Sequence, residues 1–449
     1  MTSLTFFGGV NEIGGNKILI EDRATRVFLD FGQSFTLLDG FFVPEAFLKP
    51  RERFGLRDLL ALGLIPSLPG LYSKKALSHS ELKFSDPKFH GIFITHAHFD
   101  HVAHLEYLHP EIPIYLGECT KLILDSMQQT MAGVELYSEE NKIETFRTGK
   151  EIRVDSISLK PFHVDHSVPG AYGYIVATSE GTMAYTGDLR MHGPRADMTG
   201  EFVEKAGESD ADALIIEGTR VQPEEKRKNH SEQVVLEESM RLARESKGFI
   251  LAMRYPRDID RFRTFYTVAK ATGRQLVIST KTAHLLRTLQ RDPQLRLPDP
   301  LSDPNLLIHD RRLLRPGLWE EPFLQHAVTS GFIRENQSKL IVELDFYALP
   351  ELIDIRPAGG DCIHSMSEPF EEDPLSQISD EVLDNWLNLF GLRKHQLHAS
   401  GHASKSQIFE MIERIGPKKV FPIHTLNQSL FREANEKTVV VEKGKKYIL

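Results

Sequence analysis

The stretch "FITHAHFDHVAHLEYLHP", Phe93 to Pro110, holds five of the chain's 19 histidines: His96, His98, His101, His104 and His109. Imidazole nitrogens and carboxylate oxygens are ligands for divalent cations such as zinc and manganese. His96 and His98 stand two apart just after the apolar, β-rich run "GIFITH". Alternate residues of a strand face the same way, so both rings can reach one ion. Asp100 and His101 follow at the entry to the helical spacing of "HVAHLEYL", where they offer a carboxylate and an imidazole to a second ion beside the first. His104 and His109 lie outside this H-x-H-x-D-H pattern and are expected at the surface or behind the ligands.

A pair of ions needs further donors, and three later segments supply them. "FHVDHSVPGAYG" offers an imidazole, His163 or His166; "YTGDLRMHG" places Asp188 at a strand end, where a carboxylate can bridge two ions; "FPIHT" ends an apolar strand on His424. Two cations about 3.5–4 Å apart lower the pKa of a water between them and clamp phosphoryl oxygens. The only cysteines, Cys119 and Cys362, are spaced unlike zinc-knuckle ligands and cannot form a disulfide framework. Histidine and carboxylate must therefore build any metal site.

Strand-like and helical segments alternate through most of the chain, which indicates an α/β layered fold. "IPIYLG" reads as a strand, "CTKLILDSMQQTMAG" as a helix and "EIRVDSISLKPF" as one strand, while "YGYIVATSEGTMAYTGD" reads as a hairpin. From about Val221 the rhythm becomes a βα repeat ("FILAMRY", "DIDRFRTFYTVAKATG", "QLVIST", "KTAHLLRTLQRD") of the kind that builds a separate doubly wound parallel sheet. Afterwards come strand "HQLHAS", helix "SKSQIFEMIERIG" and strand "KKVFPIHT". The Gly-rich "GGVNEIGGN" lacks the Lys-Ser/Thr of a phosphate loop and reads as a tight turn between strands. Residues 36–89 carry no ligand pattern and read as an insertion or lid with a structural role.

At 449 residues the chain exceeds one ordinary core, so two or more packed units are expected. A hydrophobic fraction of 41% and a charged fraction of 26% are those of a globular protein. The opening residues lack the features of a secretory signal, no apolar run approaches a membrane span, and a cytoplasmic location is expected. A net charge of -9 argues against non-specific coating of a duplex but leaves room for a local basic groove. Arg254, Arg257 and Arg261 of "RYPRDIDRFR" are the candidates to line one and contact phosphates.

In that order, "THAHFDH", "HSVPGAYG", "YTGD" and "PIHT" resemble the metal motifs of the metallo-β-lactamase superfamily. "IIEGT", the inserted βα unit, "HASGHAS" and the opening "FFGGVNEIGGN" are similar to its β-CASP nuclease branch, most of all the ribonuclease J family. The resemblance implies an αββα sandwich with an inserted β-CASP α/β domain: 1–218 the first part of the metallo-β-lactamase domain, 219–394 the insertion, 395–449 the C-terminal return. It implies that His96, His98 and His166 hold one zinc and Asp100, His101 and His424 the other, with Asp188 shared; His166 matches, rather than His163, because Ser167 and Pro169 follow it. It implies that His402 is the catalytic histidine, that Glu217 orients it, and that His398, Ser400 and Gly401 cradle a phosphate. Glu217 departs from the aspartate that ribonucleases J usually carry there.

The function so implied is zinc-dependent hydrolysis of single-stranded RNA, 5′ to 3′ from 5′-monophosphate ends with an endonuclease mode open, in RNA processing or decay. Two Zn²⁺ per chain are expected, with Mn²⁺ able to replace them, and a homodimer is compatible with the resemblance. The competing reading is a hydrolase of a small thioester or lactone on the same metal fold, which would share every ligand but has no need of the inserted domain or of "HASGH".

Overall fold

The computed structural model describes residues 1–43, 48–225, 230–311, 316–369 and 374–449. Numbered in chain order, β1 (Thr2–Gly8), β2 (Lys17–Asp22), β3 (Thr25–Leu29), β4 (Gly91–Phe93), β5 (Ile114–Gly117) and β6 (Ile143–Phe146) form a first sheet with β20 (Lys446–Ile448) on its edge, in the order β20-β1-β2-β3-β4-β5-β6. A second sheet, β19-β11-β10-β9-β8-β7, takes β7 (Ile152–Val154), β8 (Ile157–His163), β9 (Tyr172–Ala177), β10 (Thr182–Tyr185), β11 (Ala213–Glu217) and β19 (Lys419–Ile423).

Period-two alternation sets these sheets face to face. Leu4 and Phe6, Ile18 and Ile20, and Val27 and Leu29 meet Met183 and Tyr185, Ala213 and Ile215, and Phe421 and Ile423 in one buried layer. The residues between them point outward. Leu19 and Phe28 are covered by Leu56, Leu59, Leu71 and Tyr72, and Leu214 and Ile216 by the helices Ala196–Glu208 and Lys405–Ile415. The result is the αββα sandwich. The described part of 36–89 is thus a cover for the first sheet, in keeping with the structural role read from the sequence.

After β11 the chain leaves the sandwich and builds a third sheet, all parallel, from β12 (Phe249–Arg254), β13 (Gln275–Ser279), β14 (Leu306–Asp310), β15 (Ala327–Thr329), β16 (Leu340–Glu343), β17 (Gly360–Ser365) and β18 (Leu392–Gln396), ordered β15-β14-β13-β16-β12-β17-β18. Its central strands β12, β13 and β16 are buried on both faces and read as near-continuous apolar runs, as in other doubly wound sheets, whereas the edge strands β15 and β18 are partly exposed. The chain then returns, β19 pairing parallel with β11 and β20 antiparallel with β1.

Three segments differ from their sequence reading. "HVAHLEYL" is a short helix, Phe99–Val102, followed by a single 3₁₀ turn, Leu105–Tyr107. "EIRVDSISLKPF" is a hairpin, because Asp155 takes a left-handed backbone (φ 48) and lets β7 fold back on β8. The strand in "HQLHAS" ends at Gln396, and His398 to Ser400 leave the sheet as a loop. The Gly8–Asn16 run joins β1 to β2 as read, but as an eight-residue loop bridged to Thr425 and Ser34 rather than as a tight turn. Among the described residues no helix is long and apolar enough to cross a membrane.

Candidate metal centre

The candidate ligands collect at the end of the sandwich where several strands stop. His96 lies three residues beyond β4, His166 three beyond β8, Asp188 three beyond β10 and His424 one beyond β19, while Glu217 is the last residue of β11. His98 caps the Phe99–Val102 helix, whose first turn carries Asp100 and His101. Two backbone features bring the sheets' loops together. Gly187 has φ 55, and a Cβ there would lie 2.9 Å from Thr95 Cγ2, so only glycine fits the turn of "YTGD". His424 is itself left-handed (φ 51), held by its N–H donating to the Gly9 carbonyl at 2.7 Å.

One donor group is His96, His98, His166 and Asp188; a second is Asp100, His101, His424 and Asp188. In the first, His98 Nδ1 lies 2.9 Å from His96 Nε2 and 3.2 Å from His166 Nε2. In the second, His424 Nε2 lies 3.0 Å from Asp100 Oδ2, and His101 Nε2 lies 3.7 Å from the same oxygen. Asp188 Oδ2 joins them, 3.7 Å from His96 Nε2, 3.2 Å from His101 Nε2 and 3.6 Å from His424 Nε2.

Four of the five imidazoles are oriented by their outer nitrogen. His96 Nδ1 meets Thr95 Oγ1 at 3.0 Å, His101 Nδ1 donates to Asp30 Oδ2 at 2.8 Å, His166 Nδ1 donates to the Gly401 carbonyl at 2.6 Å, and His424 Nδ1 meets Thr219 Oγ1 at 2.8 Å. Asp30 is fixed in turn by the Thr95 N–H at 2.8 Å and the Tyr185 hydroxyl at 2.6 Å. Partners that lock tautomer and ring orientation in this way are characteristic of metal-binding histidines. Sequence reasoning missed Asp30, Thr95, Tyr185 and Thr219; the one local signal for Asp30 is its position just past a strand with left-handed φ, 56°.

Burial pushes His96, His98 and His166 below the usual imidazole range, His166 to about 4, and neighbouring imidazoles add to the effect. At neutral pH they are uncharged and expose lone pairs. Burial opposes charge on His101 and His424 too, but Asp188 and the surrounding carboxylates outweigh it and raise both, His424 to about 9. Burial works against ionised Asp100 and Asp188 as well, yet His101 and His424 hold both carboxyls below their usual range.

The donor set fits divalent cations. Three neutral imidazoles aimed at a common point cannot all be satisfied by one another's protons, and His101 Nε2 and Asp188 Oδ1 are buried without a hydrogen-bond partner. With Zn–N bonds of about 2.0–2.1 Å, neighbouring donors of a tetrahedron stand about 3.3–3.4 Å apart, close to the observed spacing. His163 is not part of either group; its Nδ1 meets Thr148 Oγ1 at 2.6 Å. His104 and His109 are buried rather than exposed, against Phe31 and Phe84 respectively, and belong to neither group.

Beside the donors lies a cavity of about 360 Å³, bordered by His98, Asp100, Arg257, His398, Ser400, Gly401 and His402. His402 Nδ1 sits 3.2 and 3.1 Å from the two oxygens of buried Glu217 and donates to them. Burial disfavours charge on both, but each stabilises the other's ion, so the imidazole is raised and the carboxyl lowered. Gly401 is required where it is: a Cβ would lie 2.9 Å from both His166 Cε1 and Ser167 Oγ.

Residues 65–251 match a family described as a β-lactamase superfamily domain, and residues 391–438 match one described as a Zn-dependent metallo-hydrolase RNA specificity domain. Together the two matched segments support the metallo-β-lactamase superfamily and its β-CASP branch. Superfamily relatives named ribonuclease J include one from Pyrococcus abyssi, 23% identical over 443 residues covering 94% of this chain and 90% of that one. One from Mycoplasma genitalium is 24% identical over 447 residues, 94% of this chain and 68% of the relative. One from Sinorhizobium meliloti is 23% identical over 345 residues, and the match takes in 57% of its length. A crystal structure of a protein of unknown function from Enterococcus faecalis V583 shares the fold with a TM-score of 0.79 at 23% identity, covering all of both chains.

The β-CASP unit meets the metallo-β-lactamase sandwich through buried charge, which corrects the expectation that Arg254, Arg257 and Arg261 all line a groove. Arg254 is buried and pairs with both oxygens of Glu343 at 2.7 and 3.0 Å. Arg261 is fully buried and pairs with both oxygens of Glu232 at 3.0 and 2.9 Å. Arg257 alone of the three borders the cavity; its Nε is buried without a partner. From the sandwich, fully buried Arg190 reaches Asp165 at 3.1 Å, and crosses to Glu232 at 2.8 Å and Asp260 at 2.9 Å. Together with His192 Nε2, which donates at 2.9 Å, Arg190 also holds the Ser400 carbonyl that begins the His402 loop. Arg190→Met leaves Asp165 and Asp260 without their buried cation, Glu232 retaining Arg261, and is expected to lower stability by about 3–5 kcal/mol, measured by urea unfolding.

Proposed function

We propose that this chain is a metal-dependent ribonuclease that hydrolyses phosphodiester bonds of single-stranded RNA, 5′ to 3′, with 1–218 and 395–449 as the metal-binding unit and 219–394 as the inserted substrate-covering unit. The observation that carries the reading is the adjacency, at the base of one cavity lined by His98, Asp100 and His402, of two donor groups joined by Asp188 and of the His402–Glu217 pair. The ribonuclease J relatives and the match to an RNA specificity domain support RNA as the substrate.

In this reading His96, His98 and His166 hold one Zn²⁺, Asp100, His101 and His424 hold the other, and Asp188 serves both. Bound there, the cations supply a water of lowered pKa and charge to meet the phosphoryl oxygens. The chain's own residues do the rest. Glu217 takes the Nδ1 proton of His402 in a hydrogen bond, so the ring presents Nε2 to the cavity, and the raised basicity of His402 keeps a proton there for the departing oxygen of the nucleotide. Arg257, with no ion pair among the described residues, faces the substrate's negative charge. His398, Ser400 and Gly401 line the same cavity as His402, and a terminal 5′-phosphate would rest against them.

End-labelled single-stranded RNA bearing either a 5′-monophosphate or a 5′-triphosphate tests this directly. The expected result is mononucleotide release that favours the monophosphate and stops on chelation. Inert RNA together with rapid turnover of a thioester or lactone panel would establish the small-molecule hydrolase instead.

A further inference from the structure

The third sheet carries a second crevice that the proposed reaction does not use. Neighbouring strands β13 and β16 run parallel, yet the chain leaves them toward opposite faces. After β13 the helix Thr280–Leu289 packs Ala283 and Leu286 with Leu276 and Ile278; after β16 the helix Glu351–Ile355 packs Leu352 and Ile355 with Val277 and Val342. In doubly wound sheets such a reversal opens a cleft at the carboxyl ends of the strands, the usual place for a ligand. Two adjoining cavities of about 50 and 250 Å³ lie there and share Ser279, Lys281, Arg311 and Asp345. Pro256 borders both the smaller of them and the metal-side cavity, so the two sites are neighbours with separate walls.

The crevice has a defined polarity. His309, at 1% exposure, lines it, and its Nε2 contacts Ser330 Oγ at 3.0 Å. Ser330 donates its own proton to Glu351 Oε2 at 3.4 Å, so it accepts from His309 Nε2–H and leaves Nδ1 as a bare acceptor. That Nδ1 is buried with no partner, and Asp345 Oδ1 is a second buried, unpartnered acceptor. Burial, aided by Arg311, pushes the His309 imidazole down to about 4, which keeps Nδ1 unprotonated. Unsatisfied buried acceptors call for a ligand that brings hydrogen-bond donors. The mouth also carries positive charge, beside Asp310 and Glu320: Lys281 is exposed with no ion pair among the described residues, Arg311 among those residues spends only its Nε on Glu351 at 3.4 Å, and the Thr280–Leu289 helix turns its positive end the same way. Arg254, which also borders the crevice, is committed to Glu343.

We propose that this crevice binds a ribonucleotide, whose sugar hydroxyls or base amine donate to His309 Nδ1 and Asp345 Oδ1 while its phosphate rests on Lys281 and Arg311. A bare phosphate does not fit, because its oxygens would face two acceptors, one of them a carboxylate. The ribonucleotide is free or is one unit of a strand; the chemistry recognised is the same.

The full chain and Lys281→Glu, a change on an exposed side chain, are titrated with AMP, GMP, CMP and UMP, their 2′-deoxy counterparts, inorganic phosphate and a short oligoribonucleotide, with amide hydrogen exchange locating the site. The expected result is saturable binding of at least one mononucleotide or of the oligonucleotide, protection of amides 279–282 and 343–346, and weakening by about tenfold in Lys281→Glu, as befits loss of a charge-assisted contact. The 2′-deoxy forms should bind more weakly. Protection of those amides by the oligonucleotide alone would assign the site to a strand. Protection confined to 396–402, unchanged affinity in Lys281→Glu, or phosphate binding as tightly as any nucleotide would each overturn the proposal. RNA cleavage in the same preparations reports on the metal centre separately, so failure here leaves that reading standing.

Discussion

Asp188→Ala is expected to bring RNA hydrolysis down to the level of chelator-stripped wild type and to cut bound metal well below the wild-type content, read by elemental analysis of the same sample. Asp188 is common to both donor groups, and its Oδ2 stands 3.2 Å from His101 Nε2 and 3.7 Å from His96 Nε2, so its removal opens both sites together. Asp188→Asn preserves shape but removes the charge that would balance bound cations, and should lose metal nearly as completely. The variant chains should remain folded, since the sandwich core beneath the loops is untouched; circular dichroism checks this. A full complement of metal with wild-type turnover in Asp188→Ala would refute the shared-ligand arrangement.

The second large effect separates proton transfer from metal binding. His402→Ala should lower kcat by about 10²–10⁴-fold, the usual worth of a positioned general acid, while leaving the metal content at its wild-type value. Glu217→Gln keeps an acceptor for one of the Leu189 and Thr219 amides, which the two Glu217 oxygens now receive at 3.2 and 3.1 Å, and gives up the charge that holds the His402 proton. Its loss should be smaller, and in the double variant the two losses should not add, because the residues act as one unit. Full additivity, or metal loss in His402→Ala, would place His402 elsewhere in the mechanism.

Much of the site was legible in the linear chain because its densest part is local. His96, His98, Asp100 and His101 span one strand end and one helix entry, and the period of two together with the first helical turn already aims them at a common region. The more distant donors were read from strand-end positions and from the resemblance, and the structure brings His166, Asp188 and His424 to them. The fold followed from apolar alternation in the sandwich and near-continuous apolar runs in the third sheet, two patterns that burial on both faces or on alternate residues imposes. The hairpin of β7 and β8 was missed because its turn rests on Asp155 and Ser156 alone, with no glycine or proline to mark it.

By itself the amino-acid sequence determined which residues can ligate, which segments become strands and helices, and that a parallel unit interrupts a layered one, since each of these depends on side-chain chemistry and on spacings of a few residues. Only the tertiary structure decided which arginine is available to a ligand. Arg254 and Arg261 are neutralised by Glu343 and Glu232, 89 and 29 residues distant, while Arg257 between them is left beside the cavity. Only it, too, revealed Asp30 behind His101, 71 residues away, and the Gly401 carbonyl behind His166, 235 residues away. The physical reason is that hydrogen bonds and ion pairs act over about 3 Å of space whatever the separation along the chain, and a local pattern carries no record of which distant partner folding will bring to it.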